Sequence, residues 1–408
     1  MRKIVIAAAL LGAFCAGGCE DSSSGSGGGA APSATAAPSA AHSAAPATSG
    51  GGAPSASPSG SAKAENDKPK KAEGPKDHKL RLKALEEAWA SHDAKKVSAL
   101  YADDAVVKAP GAPDMKGHEA IEKELTGIWG AFKDATMTVG RKWEKDKHTV
   151  VFEWVGKGTN TGDAPEMGIP KATNKPFGFV GATLLMVNDD GLIKEEHRYL
   201  DDMTIVGQVK PEKEHPVRAI VTAPPNGDKH YEASTAKEVK DAKDEKEKAE
   251  LAKVLEMEKK NIEVEDKFMA ELNGGKVEET FKHFPEDTSL VDYTQDKDIK
   301  GLKELKEFVK VWMKAIPDLK VKSNGAFGDG EFVIEEFEYT GTHKGPLGKI
   351  KASNKPVDMH QLEVDEFKDG KIVKSWSWGN NVELLTEIGV LPPPGSAPPA
   401  PSGSAAKK

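Results

Sequence analysis

One series of short motifs runs twice along this chain, and that repetition limits its possible folds more than composition does. Asp93-Ala94-Lys95-Lys96-Val97 is matched by Asn273-Gly274-Gly275-Lys276-Val277, and Lys116-Gly117-His118-Glu119 by Lys300-Gly301-Leu302-Lys303. Asn174-Lys175-Pro176 recurs as Asn354-Lys355-Pro356, and Asp190-Gly191 as Asp369-Gly370. The offsets are 180, 184, 180 and 179 residues. Four matches in one order are the mark of a duplicated unit. The copies are expected near residues 77–212 and 255–391.

Within each copy the hydrophobic period changes partway. Leu82, Leu85 and Trp89 fall on one helical face, and Val97, Leu100 and Tyr101 suggest a second short helix. Gly117 opens a third, with Ile121, Leu125, Ile128 and Phe132 along one stripe. Thr149–Val155, Phe177–Val187 and Ile193–Leu200 then read as strands, rich in β-branched and aromatic residues. Asn188-Asp189-Asp190-Gly191 reads as the turn joining the last two, because Asp-Gly tolerates positive φ. Helices followed by a run of antiparallel strands predict an α+β domain.

The flanks carry little that could build a core. Arg2 and Lys3 precede an apolar run, Ile4–Phe14, too short to span a bilayer and suited to a signal-peptide core. The run ends in Ala16-Gly17-Gly18-Cys19, which resembles a bacterial lipoprotein signal. This predicts a signal peptide over 1–18, lipidation of Cys19 and attachment to the membrane of a bacterial cell envelope. A plain cleaved signal peptide, with Cys19 uninvolved, is the alternative. Of residues 21–62, all but Asp21 and His42 are Ala, Ser, Gly, Pro or Thr, so 19–76 should form a disordered tether. Residues 213–254 are expected to be a linker and a charged helix, with Thr235-Ala236-Lys237-Glu238 as its capping box and Ala236–Lys260 continuous. Its apolar stripe is expected at Leu251, Leu255 and Ile262. Residues 392–408 are expected to form a disordered Pro-rich tail.

Several chemistries are excluded. A net charge of −8 offers no basic footprint for nucleic acid. The two cysteines, Cys15 and Cys19, cannot staple or metallate the later domains. There is no phosphate-binding loop, no His-Glu-x-x-His and no Gly-x-Ser-x-Gly, and no metal or cofactor is expected.

Three segments of the second copy give the repeat its identity: Gly341-Thr342-His343-Lys344-Gly345-Pro346-Leu347-Gly348, Asn354-Lys355-Pro356 and Asp369-Gly370-Lys371-Ile372. The first copy has Gly158-Thr159-Asn160-Thr161-Gly162, Asn174-Lys175-Pro176, Asp190-Gly191-Leu192-Ile193 and Glu196-His197-Arg198-Tyr199-Leu200-Asp201, with Gln208 seven residues on. In order and spacing these resemble the SnoaL-like polyketide cyclase family of the nuclear transport factor 2-like superfamily, over about 270 of the 408 residues. The resemblance implies two tandem cone-shaped domains, each with helices packed on a curved antiparallel sheet around an apolar cavity. It also implies that the two domains could pair through their sheets as an intramolecular pseudo-dimer.

The family's enzymes move protons on a bound apolar substrate with a carboxylate and a His. By position Asp201 matches the carboxylate, but its counterpart in the second copy is Asn380. His343 matches the His, but its counterpart is Asn160. Gln208 corresponds to Glu387. His197 and Tyr199 alternate with Asp201 and share its face of the strand, and Trp376 and Trp378 hold the equivalent places. Asp201, His343, His197 and Tyr199 are therefore the catalytic candidates, and Asn160, Trp376, Trp378 and Asn380 the ligand-binding ones. An amide cannot exchange protons at ordinary pH, so the split pair favours binding of a small apolar ligand or a protein partner without catalysis. A cyclase, isomerase or hydrolase using Asp201 is the rival reading, and a purely structural envelope protein the third.

Overall fold

The computed structural model describes residues 73–211 and 216–393. The expected signal peptide, Cys19, most of the tether and nearly all of the Pro-rich tail lie outside the described residues.

The first copy runs α1 (His78–Ala90), α2 (Ala94–Ser98), β1 (Tyr101–Lys108), β2 (Met115–Lys116), α3 (Gly117–Ala131), β3 (Thr136–Asp146), β4 (Thr149–Thr159), β5 (Pro176–Val187), β6 (Ile193–Tyr199) and α4 (Asp202–Val209). The linker contributes β7 (His230–Glu232) and α5 (Ala236–Asp241). The second copy runs α6 (Glu245–Asn273), α7 (Val277–Thr280), β8 (Ser289–Asp292), β9 (Ile299–Lys300), α8 (Gly301–Ala315), β10 (Lys320–Asp329), β11 (Phe332–Thr342), β12 (Pro356–Lys368), β13 (Lys371–Trp378) and α9 (Asn381–Glu387). The sheet orders are β2-β1-β6-β5-β4-β3-β7 and β10-β11-β12-β13-β8-β9. Apart from β7, the two sheets correspond strand for strand in order and pairing, so each copy is the α+β domain that the order of helices and strands predicts. Long antiparallel ladders dominate, and β1–β6 and β8–β13 are the equivalent parallel pairs.

The repeated motifs do the same work in both copies. Gly117 and Gly301 start α3 and α8 at φ +73° and +79°. Asn174 and Asn354 both take positive φ, and the Asp-Gly turns place Gly191 and Gly370 there as well. Gly162 and Gly345 sit where a Cβ would lie 2.0 and 2.1 Å from the carbonyl oxygens of Gly130 and Lys314, so each lets its loop close on the end of the cavity helix.

Some local expectations need correction. Leu100 and Tyr101 do not extend a helix; α2 stops at Ser98 and Tyr101 starts β1. Strand β3 does not show in the sequence pattern, because Gly140, Arg141 and Lys142 interrupt its apolar run; both cations are buried with an ion pair, to Glu153 and Asp228. The Thr235 capping box forms, but the charged segment is broken. Ala242 turns extended at ψ 139°, and Asp244 caps a new helix by accepting from the backbone N–H groups of Lys246 and Glu247. The buried stripe of α6 is Glu258, Asn261, Glu265, Met269 and Leu272, not Leu251, Leu255 and Ile262.

Both sheets are covered on both faces. One core of the first copy joins Leu82, Leu85, Ile121 and Leu125 of the helices to Phe152, Phe177 and Leu185 of the sheet. The opposite face of that sheet, with Trp143, Val151, Val155, Val180 and Ala182, packs on Phe332, Ile334, Leu362, Val364, Trp376 and Trp378 of the second copy. Burial on two faces explains why β4 and β5 carry nearly continuous apolar runs.

Candidate functional site

The first copy holds an open-mouthed cavity of about 770 Å³ between its helices and the concave face of its sheet. Phe132, Phe152, Trp154, Phe177 and Phe179 supply much of the wall. Two of its charged groups come from β6. Its even-numbered residues Glu196 and Arg198 point inward, and Asp202 follows at the start of α4.

These groups form one network. Arg198 donates through Nε to Glu196 Oε1 at 2.9 Å, and through Nη1 to both oxygens of Glu124 at 3.0 Å. Tyr101 donates its hydroxyl to Glu196 Oε2 at 2.6 Å. Burial alone would lower the Arg198 pKa, but Glu124 and Glu196 outweigh it and keep the guanidinium charged. Burial, reinforced by Glu196, pushes the Tyr101 hydroxyl up, so it remains a donor. Two carboxylates facing one guanidinium leave the cluster acceptor-rich, yet its donors are all engaged. Burial also raises the Asp202 pKa, with Glu124 adding to it while the Asn380 amide opposes it.

The residues singled out from sequence lie elsewhere. Asp201 is buried and caps α4, accepting from Thr204 N at 2.9 Å and Thr204 Oγ1 at 2.7 Å. It also accepts from Asn381 N of the second copy at 3.0 Å. Burial pushes its pKa up to about 7, but it faces only a crevice of about 10 Å³, enough for one water at most. His197 and Tyr199 do share a face, but that face packs on the second sheet. His197 Nδ1 and Tyr199 Oη meet Glu336 Oε1 at 2.7 and 2.8 Å, and His197 Nε2 meets Glu195 at 2.8 Å. Burial opposes the His197 charge, but Glu336 and Glu195 overcome it and raise its pKa. Trp376 and Trp378 lie in the same core between the sheets, and Asn380 caps α9.

Asn160 and His343 are loop clamps. Asn160 Oδ1 accepts from Thr173 N at 2.8 Å, and at the matching place of the second copy His343 Nδ1 accepts from Ser353 N at 3.2 Å. Their backbones pair identically, with Lys175 and Asn174 in one copy and Lys355 and Asn354 in the other. Neither of the two large cavities is lined by any of the eight residues expected to catalyse or bind. Tyr101, Glu124, Glu196, Arg198 and Asp202, which do line the first, were not selected. Glu196 and Arg198 stood in the quoted strand, and an opposite choice of face would have found them.

The equivalent cavity of the second copy is smaller, about 160 Å³. Ser375 and Ser377 occupy the places of Glu196 and Arg198.

Comparison with known proteins agrees with this architecture. Residues 82–196 match the family model for a SnoaL-like domain, and residues 263–388 match that for SnoaL-like polyketide cyclases. The chain therefore carries two tandem SnoaL-like domains of the nuclear transport factor 2-like α+β fold. Among solved structures, a protein from Jannaschia sp. CCS1 described as a SnoaL-like polyketide cyclase is 18% identical, with a TM-score of 0.31, over 33% of this chain and 96% of its own. TsrD from Streptomyces laurentii is 17% identical, with a TM-score of 0.29, over 32% of this chain and 96% of its own. No curated protein matches the chain.

Proposed function

We propose that this chain is a lipid-anchored binding protein of a bacterial envelope whose first SnoaL-like domain holds a small, largely apolar ligand. The cavity carries this reading. At about 770 Å³ it falls within the roughly 300–1,000 Å³ of pockets that take drug-sized ligands. Its aromatic wall suits a ring system, and the Tyr101–Glu196–Arg198–Glu124 cluster suits one polar end. The anchor rests on the Ile4–Phe14 run, Cys19 and the tether. Among the described residues no helix is long and apolar enough to cross a membrane. Two measurements test the reading. Organic extraction of the purified chain, followed by mass spectrometry, should recover a stoichiometric apolar compound, and its loss in Phe152→Ala or Arg198→Met would place it. Radiolabelled palmitate should enter the wild type and not Cys19→Ala; an unlabelled wild type removes the anchor.

Asp202 favours a second reading, a proton-transfer enzyme of the cyclase or isomerase kind. It lines the cavity and its pKa is raised by burial. Here Asp202, and not Asp201, is the acid or base. Turnover of a retained ligand that is lost in Asp202→Asn but kept in Asp201→Asn would establish this. Equal turnover in Asp202→Asn would dismiss it.

A further inference from the structure

The second cavity differs from the first in charge as well as in size. Along the 180-residue register, Leu85, Thr183 and Leu185 of the first copy become Glu265, Glu363 and Asp365. Arg198, which pairs with Glu124 and Glu196 in the first cavity, becomes Ser377. The second cavity is thus lined by Glu265, Asp292, Glu363 and Asp365, and by no Lys, Arg or His. Two of these carboxyls are committed within the fold. Asp292 accepts from Thr294 N and Oγ1 at 2.9 and 2.7 Å, and Asp365 accepts from Ser375 Oγ. Glu265 is different. It is 2% exposed, it lines the cavity, and its Oε1 has no hydrogen-bond partner. An unpartnered buried carboxyl beside further carboxyls is costly unless a cation or a proton balances it. The remaining wall is mostly apolar and includes the aromatic rings of Phe268, Phe281, Phe284, Phe308, Trp312 and Tyr339.

We propose that the second cavity binds a small organic cation, an amine or quaternary ammonium, held by Glu265 and Glu363 within an aromatic box. Aromatic faces and desolvated carboxylates together are the physical means of recognising such cations. A cavity of about 160 Å³ is below drug size and admits only a few heavy atoms beyond the ammonium head. A divalent metal fits the arrangement poorly. Among the described residues, the group with ligand atoms close enough to share one ion is Glu144, His230 and Glu232, not these carboxyls. The site is independent of what the first cavity holds.

Binding should exchange a cation for a proton. Burial raises the pKa of Glu265 and Glu363, and their carboxylate neighbours Asp365, Glu335, Asp292 and Asp266 raise it further. Tyr339 also faces the site, its hydroxyl kept neutral by burial. An arriving ammonium favours ionised carboxylates, so a proton leaves as it enters.

Calorimetry on the full chain at pH 8 tests this with choline and with 3,3-dimethylbutan-1-ol, its uncharged isostere. Choline should saturate one site per chain, at least tenfold more tightly than the isostere. The observed heat should vary with the ionisation enthalpy of the buffer, as proton release requires. Glu265→Gln and Glu363→Gln should each weaken choline at least tenfold; two variants guard against one misfolding. Three results would overturn the proposal: equal affinity for the isostere, no saturable heat with choline, tetramethylammonium or n-butylammonium, or saturation of the site by Ca²⁺ that is lost in Glu265→Gln.

Discussion

The side-chain amide of Asn380 donates to the carboxylate of Asp202 at 2.9 Å, joining the second copy to the wall of the first copy's cavity. The relationship is nearly reciprocal. Asp201 accepts from Asn381 N at 3.0 Å, and Asn380 Oδ1 accepts from Asp202 N at 3.4 Å. Two helix N-caps at matching positions of the repeat therefore stitch the copies together. Asp201→Ala and Asn380→Ala should each cost about 1–3 kcal/mol, a lost cap plus stranded buried donors. Because both variants disturb one cluster, the double variant should cost less than their sum. Urea unfolding midpoints check this. Unchanged midpoints would mean that the caps contribute nothing.

Arg141 makes the other close tie across the sheets. Its guanidinium lies 3.8 Å from the ring centroid of Trp376 and donates to Glu153 at 2.8 and 2.5 Å. All three residues are buried. Arg141→Ala should cost about 3–5 kcal/mol, because Glu153 would keep only Asn226 as a partner. The double change Arg141→Met with Glu153→Leu should unfold within about 1–2 kcal/mol of wild type, since no buried charge is left unpaired. Chemical denaturation of the three chains separates the cost of breaking the pair from the worth of having it.

The second copy should become less stable as pH rises. Burial pushes the Glu335 and Asp365 pKa values up to about 7, well above those of an unfolded chain. A raised carboxyl binds more protons folded than unfolded. Stability is therefore full below about pH 4 and falls as pH rises toward 7, then levels off. Raised His197 and His360 act in the same direction, while lowered His78 acts against it. The comparison that isolates the acids is therefore wild type against Glu335→Gln with Asp365→Asn. Between pH 5 and 8 the variant should lose about 1–3 kcal/mol less than wild type. Parallel stability curves would refute the assignment.

The sequence showed the fold more plainly than the site, for a physical reason. Gly117 and Gly301, Asn174 and Asn354, and the Asp-Gly turns announce themselves because backbone geometry restricts which residues can stand there. The period of two in β6 was equally visible, but alternation identifies residues that share a face without saying which face is enclosed. With one face on a cavity and the other on a second sheet, both are buried, and hydropathy cannot choose between Glu196–Arg198 and His197–Tyr199. Asp201 was misplaced for the same reason, one residue from Asp202. Glu258, Asn261 and Glu265 escaped notice on α6 because a buried polar stripe reads as a solvated one.

The contrast between the two cavities can be tested inside the first. Arg198 there offsets Glu124 and Glu196, whereas Ser377 in the second copy offsets nothing. Arg198→Ser should leave the buried Glu196 and the half-buried Glu124 without their counter-ion, at a cost of about 2–3 kcal/mol at pH 8. Without the guanidinium, burial and mutual repulsion should raise both carboxyl pKa values. Stability should then recover as pH falls, because the folded state of the variant takes up protons before the unfolded chain does. Melting temperatures of wild type and Arg198→Ser at pH 5 and pH 8 measure this. The gap between them should be large at pH 8 and should narrow at pH 5; a gap that stays constant with pH would mean that Arg198 acts by packing alone.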